Sequence, residues 1–193
     1  MSKSVAVGVV VRRSCPPSAR SVDVTCPKCG DVLTFRLHAD MKTSPRGVNS
    51  TSKGATSTYA NAFHLPSGRP GDDGGSCDGA TAACLKVCYA SAMERRFVAF
   101  KSGAQLNLKN LQHLASCAGS VGVQLATDSI VDHSVGFQIR DGLSPTFRWH
   151  SDGDVWIGDD RSSAMYARAI RRSSDRVGRE VGCRSWIYTR SLG

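Results

Sequence analysis

Where the eight cysteines of this 193-residue chain fall constrains its fold more than any other feature. Cys26-Pro27-Lys28-Cys29-Gly30 is half of a zinc-ribbon knuckle, in which glycine permits the tight turn that points backbone N–H groups at the sulfurs. Cys77, Cys84 and Cys88 form a Cys-x6-Cys-x3-Cys stretch behind a glycine-rich loop at 70–75. Thiolates are soft ligands that suit zinc, Cu(I) and iron–sulfur clusters. Clustered thiols mean disulfides in a secreted chain and metal in a reducing compartment. The apolar run 5–11 is followed at once by Arg12 and Arg13 and lacks a small-residue cleavage site, so it reads as a strand rather than a secretion signal. No stretch reads as a membrane span, and the expected setting is a reducing cytoplasm.

A closed zinc site needs four ligands, and Cys15 and His38 are the nearest companions for Cys26 and Cys29. Residues 1–40 therefore read as a small β-rich, zinc-knuckle-like module; the competing reading is a hairpin turn with two free thiols. Residues 41–60, rich in Ser, Thr, Gly and Lys, read as a linker, and 61–193 as an α/β domain. In that domain the pattern predicts one helix over 80–100, with Cys84, Cys88 and Ala92 on one face and Met93, Phe97 and Phe100 as an apolar stripe. A second amphipathic helix over 104–116 turns Leu106, Leu108, Leu111 and Leu114 inward. His113 and Cys117 read as bystanders at its end, Cys117 being a spare candidate for a fourth thiolate. Periodicity does not decide between helix and strand over 119–142. Strand 146–150, amphipathic helix 162–175 and strand 184–188 make a βαβ unit, which implies parallel strands. The fold class expected is α/β, with a partial parallel sheet or an incomplete (β/α) barrel.

Parallel sheets bind ligands at the carboxyl ends of their strands. Those ends carry His150, Asp152 and Asp154, read as catalytic candidates, with Gly153 allowing close backbone approach and Arg190 able to pair with a carboxylate or phosphate. Cys77, Cys84 and Cys88 would hold a metal or cluster with one position open for chemistry. The competing reading makes Asp152 and Asp154 turn residues and His150 a satisfied strand-end histidine. A formal charge of +9 and a pI near 9.4 favour an anionic partner such as nucleic acid, or serve solubility alone.

The segments 61–68 (Asn-Ala-Phe-His-Leu-Pro-Ser-Gly), the three cysteines ending in Cys88-Tyr89-Ala90, 147–154 (Phe-Arg-Trp-His-Ser-Asp-Gly-Asp) and 187–191 (Ile-Tyr-Thr-Arg-Ser) occur in that order. Together they resemble the phage family named after gene product 88 of actinobacteriophages, over about residues 57–193. The resemblance implies a phage origin, action in the host cytoplasm, and kinship with radical S-adenosylmethionine barrels. That kinship implies a [4Fe–4S] cluster on Cys77, Cys84 and Cys88, S-adenosylmethionine beside His150, Asp152 and Asp154, and a nucleic acid or nucleotide as substrate. A full barrel needs more strand–helix units than this chain carries, so either the barrel is partial or the chain is a truncated or split member, with a second chain or a homo-oligomer as the source of the rest. The rival reading is a zinc-stabilised phage protein that binds nucleic acid without catalysis, supported by the knuckle, the charge and the arginine-rich 161–184 segment. A third is an inactive family member.

Overall fold

The computed structural model describes residues 17–40, 46–47, 59–71, 74–150 and 153–187. The expected strand at 5–11, Cys15, Asp152 and Arg190 lie outside the described residues. A 3-10 turn (Pro17–Arg20) leads into β1 (Ser21–Thr25) and β2 (Val32–His38), followed by the two-residue strands β3 (Arg46–Gly47) and β4 (Ala62–Phe63). Helices α1 (Ala82–Lys86), α2 (Tyr89–Arg96) and α3 (Val98–Arg140) come next. Then follow β5 (Leu143–Ser144), β6 (Thr146–Trp149), α4 (Asp160–Val181) and β7 (Arg184–Ile187).

Five strands form one open sheet in the order β1-β2-β4-β6-β7. The β1–β2 and β2–β4 pairs are antiparallel, whereas β4–β6 and β6–β7 are parallel. The βαβ reading of β6, α4 and β7 is therefore right, and the barrel gives way to an open mixed sheet. Residues 21–38 are the outer hairpin of that same sheet.

The long helix α3 is the spine of the core. It contacts α4, β1, β2, β5 and β6 and buries Leu108, Leu111, Leu114, Val123, Ile130 and Val131. Opposite them lie Phe35, Leu37, Phe63, Phe147 and Trp149 from the sheet and Tyr166 and Ile170 from α4. The ambiguous stretch 119–142 is helical to Arg140, with a break at Gly119, whose φ of 61° only glycine adopts at low cost. By length and composition α3 is apolar enough to cross a membrane, with an 18-residue window of mean hydropathy 1.2, contrary to the expectation that no stretch would be. Its place in this fold is different. Its buried polar residues stitch the short strands together, because a two-residue strand leaves neighbouring backbone groups unpaired. Asn107 accepts from Arg36 N (2.7 Å) and donates to the carbonyls of Arg36 and His64. Asn110 donates to Thr34 O, Ser134 to Ala60 O, and Gln138 bonds the backbone of Thr146 in both directions.

The single helix expected over 80–100 is two short ones. Thr81 caps α1 by accepting from Cys84 N, and Cys88 takes an extended conformation (φ −68°, ψ 113°) to cap α2. Val, Cys and Tyr at 87–89 are indifferent helix formers, and the expected apolar stripe buries little: α1 buries no residue and α2 only Glu94. Cys84 and Cys88 therefore sit on different elements instead of one helical face.

Candidate metal centre and strand-end site

The turn between β1 and β2 brings Cys26 and Cys29 together. Cys26 N donates to Asp31 O and Gly30 N to Cys26 O, and Gly30 adopts a φ of 80°. The backbone N–H groups of Cys29 and Lys28 point at the Cys26 sulfur and pull its thiol down to about 6. The backbone N–H of Asp31 points at Cys29, but the Cys26 thiolate beside it makes a second ionisation costly and pushes Cys29 up. Two sulfurs that cannot both ionise alone are what a cation relieves.

Two further ligands come from α3. His113 and Cys117 lie four residues apart, on one face of the helix, and that face packs over the knuckle. His113 Nε2 stands 3.3 Å from Cys29 Sγ. The ligand atoms of Cys26, Cys29, His113 and Cys117 all lie within 4.8 Å of one another. A tetrahedral zinc with Zn–S of about 2.3 Å and Zn–N of about 2.0 Å spaces its ligand atoms about 3.5–3.8 Å apart, so the donor set and its closeness fit. Asp31 Oδ2, 3.6 Å from His113 Nε2, adds a carboxylate at the rim.

The described residues gather a different group from the one expected from sequence, and Cys15 lies outside them. His38 is elsewhere: its ring stacks with those of His64 (4.9 Å) and Phe100 (4.7 Å). Burial lowers its pKa to about 4, so it is a neutral core imidazole. His113 and Cys117, read as bystanders, replace it. The signal was present as a His-x3-Cys pair one helical turn apart, but 84 residues separate Cys29 from His113 and no spacing rule reaches that far.

The second cluster of candidates sits at the carboxyl ends of β4 and β6. His150, directly after β6, is fully buried with a positive φ of 55°, a conformation that costs a non-glycine residue free energy. Its Nε2 lies 3.1 Å from the buried hydroxyl of Tyr166, and its Nδ1 has no hydrogen-bond partner among the described residues. Burial lowers its pKa to about 4 against the pull of Asp154. The loop after β4, the cysteine stretch and the loop after β6 are tied together through Ser76. Its N and Oγ both donate to Pro66 O, and its Oγ accepts from Asp154 N at 2.8 Å. Cys77 N donates to Gly68 O, and Ser67 N donates to the buried Glu94 carboxylate at 2.6 Å, docking α2 onto the same loop. Burial pushes the Cys77 thiol up to about 11, with the charges of Asp154, Cys88 and Cys84 adding to the rise. The three cysteines and Asp154 thus share one electrostatic neighbourhood, although among the described residues only Cys26, Cys29, His113 and Cys117 form a group close enough to hold one ion.

Gly153 is where these loops touch. With φ at 78°, a Cβ there would stand 2.4 Å from Leu65 O and 2.6 Å from Ser76 Oγ. Gly153→Ala is expected to lower unfolding free energy by about 3 kcal/mol through combined backbone strain and overlap. Gly136→Ala on α3, where a Cβ meets nothing within 4 Å, is expected to be neutral or stabilising. Urea titration of the two variants checks the contrast, and equal stabilities would mean that the loops give way at Gly153.

An open mixed sheet on a central helix, with a Cys3His group whose closeness fits one ion, makes this an α/β protein with a candidate metal centre. The chain belongs to the Gene product 88 family, whose profile matches residues 35–193. It is similar to the Gene 88 protein of Mycobacterium phage D29, 33% identical over 136 residues that make up 70% of this chain and 50% of that protein. It is similarly 32% identical to the Gene 88 protein of Mycobacterium phage L5 over the same length. It is thus a phage protein that spans about half the length of these relatives. No solved structure matches it.

Proposed function

We propose that this protein is a two-site metalloprotein. A structural zinc ion sits on Cys26, Cys29, His113 and Cys117, and a three-thiolate site on Cys77, Cys84 and Cys88 serves chemistry at the strand ends. The observation that carries the reading is the convergence of four soft and borderline ligand atoms, from two segments far apart in sequence, to within 4.8 Å. A closed set of four protein ligands makes a structural centre, with no position left for substrate.

The second site differs in kind. Thiolates around an iron–sulfur group bind different irons and stand farther apart than those around one ion, so Cys77, Cys84 and Cys88 need not meet as closely as the knuckle ligands. Burial is the main cause of the raised Cys77 pKa, and the nearby Asp154, Cys88 and Cys84 add to it, so a positive group bound among them would favour their charged forms. Three protein ligands leave one position open. S-adenosylmethionine, implied by the family kinship, would supply radical chemistry there when bound. The chain's own contribution is to exclude water and orient a ligand with buried Asp154 and the strained His150.

Metal analysis tests both parts. The protein as purified should hold one zinc, lost in Cys29→Ser. After anaerobic reconstitution it should gain about four irons and a brown colour that Cys77→Ala, Cys84→Ala and Cys88→Ala each remove without disturbing the zinc. A colourless protein with zinc alone would leave the structural centre standing and remove the second.

A further inference from the structure

The segment that caps the strand ends leaves an unusual surface in solvent. Val87, Tyr89, Phe97 and Val98 are 80%, 70%, 46% and 73% exposed. Between Gly79 and Ala126 the only acidic residue is Glu94, and its carboxylate is turned inward to Ser67 N–H. The exposed charges of the cap are Lys86, Arg95, Arg96 and Lys101, and the Arg96 guanidinium lies over the Phe97 ring, 5.4 Å from its centroid. Exposed aromatic faces set among four cations, with Asp78 the one exposed carboxylate among residues 74–101, are the elements of a single-strand platform: rings stack on unpaired bases and the cations follow the phosphates.

We propose that this cap is a docking surface for single-stranded nucleic acid, with bases stacking on Tyr89 and Phe97 and phosphates held by Lys86, Arg95, Arg96 and Lys101. A duplex offers no open base faces to these rings. The arginine-rich helix α4 is the weaker site for such a partner. Its one aromatic residue, Tyr166, is buried; Arg171 lies 3.9 Å from Asp175; and Arg176 is held by Asp128, Asp132 and Glu180. The inference does not depend on which metal the chain holds, since none of these side chains is a proposed ligand.

The test uses the full zinc-loaded chain and fluorescein-labelled mixed-sequence oligonucleotides, single-stranded DNA and RNA and the corresponding DNA duplex, followed by anisotropy across a salt series. Binding to single strands should be tighter than to duplex and should weaken steeply with salt. Tyr89→Ala and Phe97→Ala should each weaken it about tenfold while Tyr89→Phe preserves it. Arg95→Gln with Arg96→Gln should weaken it and reduce the salt slope by about two. Arg168→Gln with Arg172→Gln on α4 should leave it unchanged, and circular dichroism and zinc content should show every variant folded. The proposal is overturned if single strands do not bind, if duplex binds as well, or if the α4 variant loses binding while Tyr89→Ala keeps it.

Discussion

Replacing His113 or Cys117 with alanine is expected to release the zinc and lower the melting temperature by about 10 °C or more. The reasoning is thermodynamic: an ion bound by the folded state alone contributes its binding free energy to folding, and structural zinc binds strongly. Removing one ligand opens the centre and returns Cys26 and Cys29 to the mutual repulsion that holds the Cys29 thiol up. The loss should be several kcal/mol, and each kcal/mol is worth about 2–4 °C in a domain of this size. The hairpin should stay docked, because Val24, Phe35 and Leu37 are buried in the core and Asn107 and Asn110 bond the β2 backbone. Hydrogen exchange should therefore accelerate most around the knuckle at 26–31 rather than across the sheet. His38→Ala is the control: it should destabilise by leaving a cavity between two rings yet keep its zinc. Zinc loss in His38→Ala with retention in His113→Ala would reverse the assignment of ligands.

Acid should destabilise the protein before its carboxylates titrate. Half-buried His38 and buried His150 are neutral imidazoles with pKa lowered to about 4, chiefly by desolvation, and burial lowers that of His64 as well. In the unfolded chain each returns to about 6.5. Between about pH 6.5 and pH 4 the unfolded state therefore binds more protons than the folded state, and stability falls as pH falls through that window. A depression of this size amounts to about 3 kcal/mol for each of His38 and His150 once pH reaches 4. Zinc bound at the proposed centre would also be lost in acid, because its ligands must shed protons to bind. The informative measurement is thus the difference between wild type and His38→Phe, a ring replacement that fits the stack with His64 and Phe100. Urea unfolding at pH 7 and pH 5 should show a shallower loss in His38→Phe, by about 2 kcal/mol. Parallel losses in the two proteins would mean that His38 is protonated in the folded state.

Local chemistry was enough wherever the deciding interactions span a few residues. The Cys-Pro-Lys-Cys-Gly run determines its own turn, because Gly30 accepts a positive φ and the backbone amides of 28, 29 and 31 reach the sulfurs. The unit of β6, α4 and β7 was legible from hydrophobic period alone, and so was the placement of His150 and Asp154 at a strand's carboxyl end. Tertiary structure decided the rest. It decided that 119–140 is helix, since a glycine-containing apolar run satisfies either period and packing selects one, with Gln124 and Thr127 meeting Ser173 on α4 and Gln138 bonding the Thr146 backbone. It split the cysteine stretch into two helices, because a segment with nothing to bury gains little from one continuous helix. Above all it decided which residues join Cys26 and Cys29. Ligands for one ion must meet within a few ångströms, and 84 residues of chain between Cys29 and His113 carry no local record of that meeting. It is produced by the core that lays α3 across the hairpin.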